Sequence, residues 1–225
     1  MKTKIDKTTL NQRVLLACII CLIWILLYKL LFIDIDNIFP NADRVGEITF
    51  NLFCSVIASG IFYYVVVHLE NRRIAKILYP SINDRLKTFG VGLFFIKKDL
   101  YQRKGLAIPD KMPKLEDFAP ICDNIILTTK PPEIIGNPSF TPNDWFEYFE
   151  YYFQSDKFLS KQLYTHISFL TPDILKELDE IQYSRFQRAL DVYRINKRYN
   201  ELSGMSGPFW LYLSTLDKLS STELK

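Results

Sequence analysis

The 225-residue sequence is poor in the side chains that most often build reactive sites. It has two histidines, His68 and His166, and neither has a cysteine or carboxylate at metal-ligand spacing, which argues against a local zinc centre. Its eight glycines form no phosphate loop, dinucleotide fingerprint or G-x-S-x-G elbow. The chain therefore reads as non-catalytic, with no metal and no cofactor. Cysteine is scarce as well: Cys18, Cys21 and Cys54 sit in apolar runs and Cys122 stands alone, which excludes a disulfide scaffold. Cys18 and Cys21 do spell C-x-x-C, but with no His or carboxylate nearby the pair reads as packing. An excess of one charge sign is also missing, since 28 Lys+Arg face 25 Asp+Glu. That balance excludes a strongly basic nucleic-acid binder.

What the sequence does have is two long apolar runs in its first third. Residues 14–33 (VLLACIICLIWILLYKLLFI) contain a single charge, Lys29. About 20 helical residues rising ~1.5 Å each cross a ~30 Å hydrocarbon core. The run is too long for the apolar part of a cleaved signal and lacks a small-x-small cleavage site. The second run, residues 48–69, carries no Asp, Glu, Lys or Arg. Together they predict a two-helix transmembrane hairpin with spans at 14–33 and 47–69, joined by a short external loop at 34–46.

Positive charge orients such a hairpin, because Lys and Arg are retained on the cytoplasmic side. Lys2, Lys4, Lys7 and Arg13 form a basic arm over residues 1–13, and Arg72, Arg73 and Lys76 follow the second span. The loop holds Asp34, Asp36 and Asp43 against Arg44, and Glu47 opens the second span beside it. Both termini are thus expected in the cytoplasm.

One pattern in the second span bears on function. Glu47, Asn51, Ser55 and Ser59 recur every four residues and lie along one slowly drifting helix face. Polar groups facing lipid are unfavourable. The stripe is therefore expected either to pack against another helix or to line a pore. For packing, Ser55 and Ser59 form a small-xxx-small pair matched by Ala17 and Cys21 on the first span. For a pore, at least four chains are needed, and Glu47 guards the outer mouth. Lys29, one turn from the outer end, either snorkels to the interface or pairs with Glu47 or Asp34.

Residues 70–225 carry 22 Lys+Arg against 20 Asp+Glu and predict a mainly α-helical cytoplasmic domain. The second span continues to Tyr79, Pro80 is expected to break it, and Ser81 to cap the next helix. Pro109, Pro113, Pro120, Pro131, Pro132, Pro138 and Pro142 mark a proline-rich excursion at 105–142. Thr141 or Asn143 caps a helix from about Asp144, and Thr171-Pro172-Asp173 launches a second, with a stripe from Ile174 to Tyr193. The segment WFEYFEYYF, residues 145–153, is aromatic on nearly every face. Trp145, Phe149 and Tyr152 accordingly belong to a core or to a partner or subunit interface. The juxtamembrane Arg72, Arg73 and Lys76 suit anionic lipid, or an anionic nucleotide or oligonucleotide, with Arg194, Lys197 and Arg198 as a second patch.

The order of parts resembles small bacterial inner-membrane proteins with two spans and a helical cytosolic tail. SVIASGIFYYVVVHLENRR and LTPDILKELDEIQYSRF carry the likeness. Some proteins of this layout are membrane effectors of anti-phage defence, and the layout is similar to the ion-channel effector of Hailong-type systems. That resemblance implies a homo-oligomeric, gated channel in the bacterial inner membrane. The competing expectation is a non-catalytic, membrane-anchored adaptor, immunity or accessory subunit that binds a soluble partner.

Overall fold

A computed structural model of the chain describes residues 7–28, 42–132, 140–196 and 200–224. These residues are all-helical apart from turns, loops and one isolated antiparallel bridge between Ile126 and Glu201. The chain divides into two compact units, Met1–Lys76 and Ile77–Lys225.

The first unit holds α1 (Lys7–Leu27) and α2 (Ala42–Phe62), followed by a π-helical stretch, Tyr63–Leu69, and the start of α3 (Glu70–Arg103). α1 and α2 run antiparallel. Tyr28 lies against Gly46, the Trp24 and Phe53 rings meet edge-on with centroids 6.1 Å apart, and Cys18 lies against Gly60. The faces turned away from this seam expose Leu15, Leu16, Ile19, Ile20, Leu52, Val56 and Ile61. So continuous an apolar surface needs a covering other than water. Among the described residues one helix, Arg44–Arg103, is long and apolar enough to cross a membrane, and its apolar stretch is entirely unburied. The apolar helix Gln12–Leu27, which holds most of the described part of the first run, is shorter than a span, and residues 29–33 of that run lie outside the described residues.

α3 differs from the sequence expectation, because Pro80 sits inside it and does not end it. An internal proline costs roughly 3 kcal/mol through its missing N–H and its clash with the carbonyl four residues back. Beyond Pro80 the helix buries Ile82, Leu86, Phe89, Leu93, Ile96 and Leu100 in the second unit. At roughly 1.5–3 kcal/mol per buried side chain, that stripe outweighs the proline. Gly90 and Gly92, which weaken the helix in isolation, serve close packing here. A Cβ on Gly90 would lie 3.0 Å from Ser220, and one on Gly92 3.4 Å from Tyr152.

The second unit continues with the short α4 (Leu115–Phe118), α5 (Trp145–Tyr164), α6 (Pro172–Gln182), α7 (Arg185–Ile195) and α8 (Ser206–Ser221). α5 starts at a reciprocal cap. Asp144 accepts from the Glu147 N–H at 2.9 Å, and the Glu147 carboxylate accepts from the Asn143 N–H at 2.8 Å. Thr171 caps α6 with Pro172 in its first turn, as the sequence predicts. The stripe from Ile174 to Tyr193 is divided between two helices, because Ser184 caps a new start at Arg185.

The excursion packs where it is described. Phe118, Ile121, Cys122, Ile125 and Leu127 are buried, and the Trp210 indole donates to the Pro113 carbonyl at 2.7 Å. At the centre, Phe186 meets Phe209 at 4.3 Å and Phe149 at 5.3 Å, and Phe153 meets Tyr212 at 4.5 Å between ring centroids.

Candidate functional site

In the first unit, small residues decide which face of α2 meets α1. A Cβ on Gly60 would collide with the Cys18 sulfur, and one on Gly46 with the Tyr28 hydroxyl. Only glycine permits both approaches. At 3.6 residues per turn, Gly46, Phe53 and Gly60 lie within about 20° of one line, while Glu47, Asn51, Ser55 and Ser59 drift from about 120° to 240° away from it. The four polar residues are all exposed, on the side opposite the α1 seam.

This geometry corrects one expectation. Ser55 and Ser59 do not form the small-residue seam with α1; the two glycines do, and of the α1 pair Cys21 is buried while Ala17 is exposed. The stripe is thus left for lipid or for another molecule. Its hydroxyls are locally satisfied, Ser55 donating to the Asn51 carbonyl at 2.9 Å and Ser59 to the Ser55 carbonyl at 2.8 Å. That back-bonding reduces their cost in an apolar setting. Glu47 and Asn51 are different, because among the described residues neither side chain has a hydrogen-bond partner.

Arg72, Arg73 and Lys76 are exposed on the first turns of α3, and among the described residues none forms a salt bridge. Lys29 and Asp34 lie outside the described residues, and so does any pairing of Lys29. Of the second basic patch, Arg194 stacks over Phe146 at 5.5 Å, while Lys197 and Arg198 lie outside the described residues.

Of the two places expected for the aromatic helix, a core or a partner or subunit interface, the structure shows the core. Trp145, Phe149 and Tyr152 are 0%, 1% and 6% exposed. Phe149 packs on Phe186 and Phe209, and Arg103 lies over the Trp145 ring at 5.9 Å. Burial of three large aromatic surfaces within the second unit leaves nothing of them to present to a partner.

Polar side chains inside that core are what the periodicity did not single out. Tyr148 donates to Asp99 at 2.5 Å, and Tyr212 donates to Asp156. Burial raises the Asp99 carboxyl above its ordinary range, against the lowering effect of the Tyr148 bond. Burial likewise pushes Asp156 up to about 7, against its bond from Tyr212. Lys97 donates to the Pro109 carbonyl at 2.6 Å, on a cleft of about 430 Å³ that also takes in Phe94, Asp110, Asp217 and Ser220. Burial lowers the Lys97 ammonium, opposed by Asp217 and Asp110. A usable sign did exist in the sequence. Asp156 falls one turn after Tyr152 on the buried face of α5, where a solvated carboxylate has no place.

Elsewhere, His68 stacks on Tyr64 with ring centroids 5.1 Å apart. Among the described residues no three His, Cys, Asp or Glu side chains converge as metal ligands. No family model, curated protein or solved structure matches this chain.

Proposed function

We propose that this chain is a non-catalytic, homo-oligomeric membrane protein whose 47–69 segments surround an ion path that the helical tail gates. The supporting observation is the placement of Glu47, Asn51, Ser55 and Ser59 on the face of α2 turned away from α1. A polar face on an otherwise apolar, unburied helix is unfavourable against lipid and favourable against water or a second copy. A hairpin cannot enclose water alone, so the reading requires at least four chains around an axis.

In this reading the first run, 14–33, is the outer, lipid-facing span, and the 34–46 loop lies outside the cell. The basic arm and Arg72, Arg73 and Lys76 keep both termini in the cytoplasm. Glu47 stands at the external mouth, and a ring of such carboxylates favours cations. The layout's resemblance to anti-phage effectors makes defence at the bacterial inner membrane the setting we infer.

Two measurements test it. In lipid nanodiscs the particle mass should equal four or more chains, and a monomer or dimer would overturn the reading. In planar bilayers the purified oligomer should conduct with cation preference, and Glu47→Gln should weaken that preference while conduction persists.

A further inference from the structure

Asp156 is a carboxyl group held inside a hydrocarbon core by one tyrosine. It lies on α5 with 3% of its surface exposed. One oxygen, Oδ2, accepts from the Tyr212 hydroxyl of α8, which is itself 3% exposed. The other, Oδ1, faces α3 at Gly92, where a Cβ would lie 3.9 Å away. Its own helix places Tyr152 one turn before it and Ser160 one turn after it, and Thr215 follows Tyr212 by one turn on α8. Phe186 of α7 closes the side next to Tyr212 and Phe153. The Ser160 and Thr215 hydroxyls are buried with no hydrogen-bond partner among the described residues. The titratable groups around the carboxyl are thus Tyr212 and Tyr152, with Asp99 acting on Tyr152 from α3. No lysine, arginine or histidine among the described residues acts on it.

Such a site holds a neutral acid comfortably and an anion badly. An ionised carboxylate here has one charge-assisted hydrogen bond against a large desolvation cost, and the cost is relieved when water reaches it. The Tyr212 bond joins α5 to α8, so parting those two helices brings water to the carboxyl.

We propose that Asp156 and Tyr212 form a pH-sensitive clasp between α5 and α8, firmest in acid and loosened progressively as the pH rises to neutrality. The sign follows from linkage. Released into water, Asp156 loses its proton near the usual carboxylate value of 3.8, and in the closed core it does so only at about 7. Below both values the open and closed states bind the proton equally. Between them the open state alone is ionised and gains at the expense of the closed one, and above 7 the loss is complete. α8 packs against α4, α6 and α7, so its release loosens much of the second unit. The clasp stands independently of any channel.

Hydrogen exchange on the full-length protein in detergent or nanodiscs tests it. Protection of peptides from α8, corrected for the intrinsic rise of exchange with pH, should fall about tenfold between pH 6 and pH 8. Asp156→Asn should abolish that fall. Tyr212→Phe removes a bond that favours the ionised form, so it should move the midpoint to higher pH; a merely structural bond would lower protection equally at both pH values. Infrared spectra give a second readout if Asp156→Asn folds poorly. A protonated-carboxyl band present at pH 6 should be lost by pH 8.5, with a midpoint that Tyr212→Phe shifts upward. Flat protection in the wild type, the same tenfold fall in a folded Asp156→Asn, or no titrating band would each overturn the proposal.

Discussion

Gly60 on α2 sits so close to Cys18 on α1 that its hydrogen is the only side chain the contact admits. Val14 flanks the same spot, 3.8 Å from where a Cβ would stand. One side of α2 is therefore committed to the hairpin, and the opposite side, with Ser55 and Ser59, is free of it.

That division predicts opposite responses to similar substitutions. Gly60→Val forces the two helices apart, at a cost of about 1–3 kcal/mol for overpacking. Ser59→Val, one residue away on the other face, leaves the hairpin intact. Thermal unfolding in detergent should show a lowered midpoint for the first and none for the second. If the stripe joins copies or lines water, Ser59→Val should instead alter oligomer mass or conductance.

Phe149 gives a test that separates core from interface. It lies between Phe186 and Phe209, at centroid distances of 5.3 and 5.1 Å, with 1% of its surface exposed. Phe149→Ala should destabilise the second unit by about 3–5 kcal/mol. Denaturant unfolding followed by tryptophan fluorescence would show it as an earlier transition in the full chain. A variant of unchanged stability that fails only to associate would overturn this placement.

How far these features could be read in the sequence depends on the range of the interaction that makes them. Thr171-Pro172-Asp173 announces α6 because a cap needs only its own turn, and the apolar runs are visible because their periodicity is local. Pro80 misled for the same reason. Its cost is local, whereas the burial that outweighs it comes from α5 and α8, far along the chain. Of the candidate site, the stripe was visible as a four-residue repeat, but which face meets α1 was not. That choice rests on Gly46 and Gly60 meeting Tyr28 and Cys18 from another helix. Asp156 could be seen as out of place in an aromatic helix, while its partner Tyr212 lies 56 positions later.

Cys122 supplies a built-in reporter for the second unit. It is fully buried, and burial, aided by Asp123, pushes its thiol up to about 12. The thiolate is the reactive form. At pH 8 the folded protein should leave Cys122 unlabelled by maleimide for hours, and the group should react within minutes in denaturant, where the thiol returns to its ordinary value. Mass mapping of the 115–127 peptide distinguishes it from Cys18, Cys21 and Cys54. Rapid native labelling would contradict the packing of Phe118, Ile121, Cys122, Ile125 and Leu127 into the core.

Asn83 and Leu224 offer the sharpest energetic test, because one side chain does the work of a strand. The Asn83 amide donates to the Leu224 carbonyl at 3.0 Å and accepts from the Leu224 N–H at 2.9 Å, and both residues are buried. Asn83→Ala leaves a buried donor and acceptor unmatched, at roughly 1–3 kcal/mol each if they stay dry. Removing residues 222–225 deletes the same two bonds from the other side, but exposes Asn83 to water. If the pair acts as one unit, the double variant should be no less stable than the worse single one, with a coupling energy of about 0.5–3 kcal/mol. Fully additive losses would mean that Asn83 stabilises α3 by some other contact, and limited proteolysis would then leave the 222–225 segment as protected in Asn83→Ala as in the wild type.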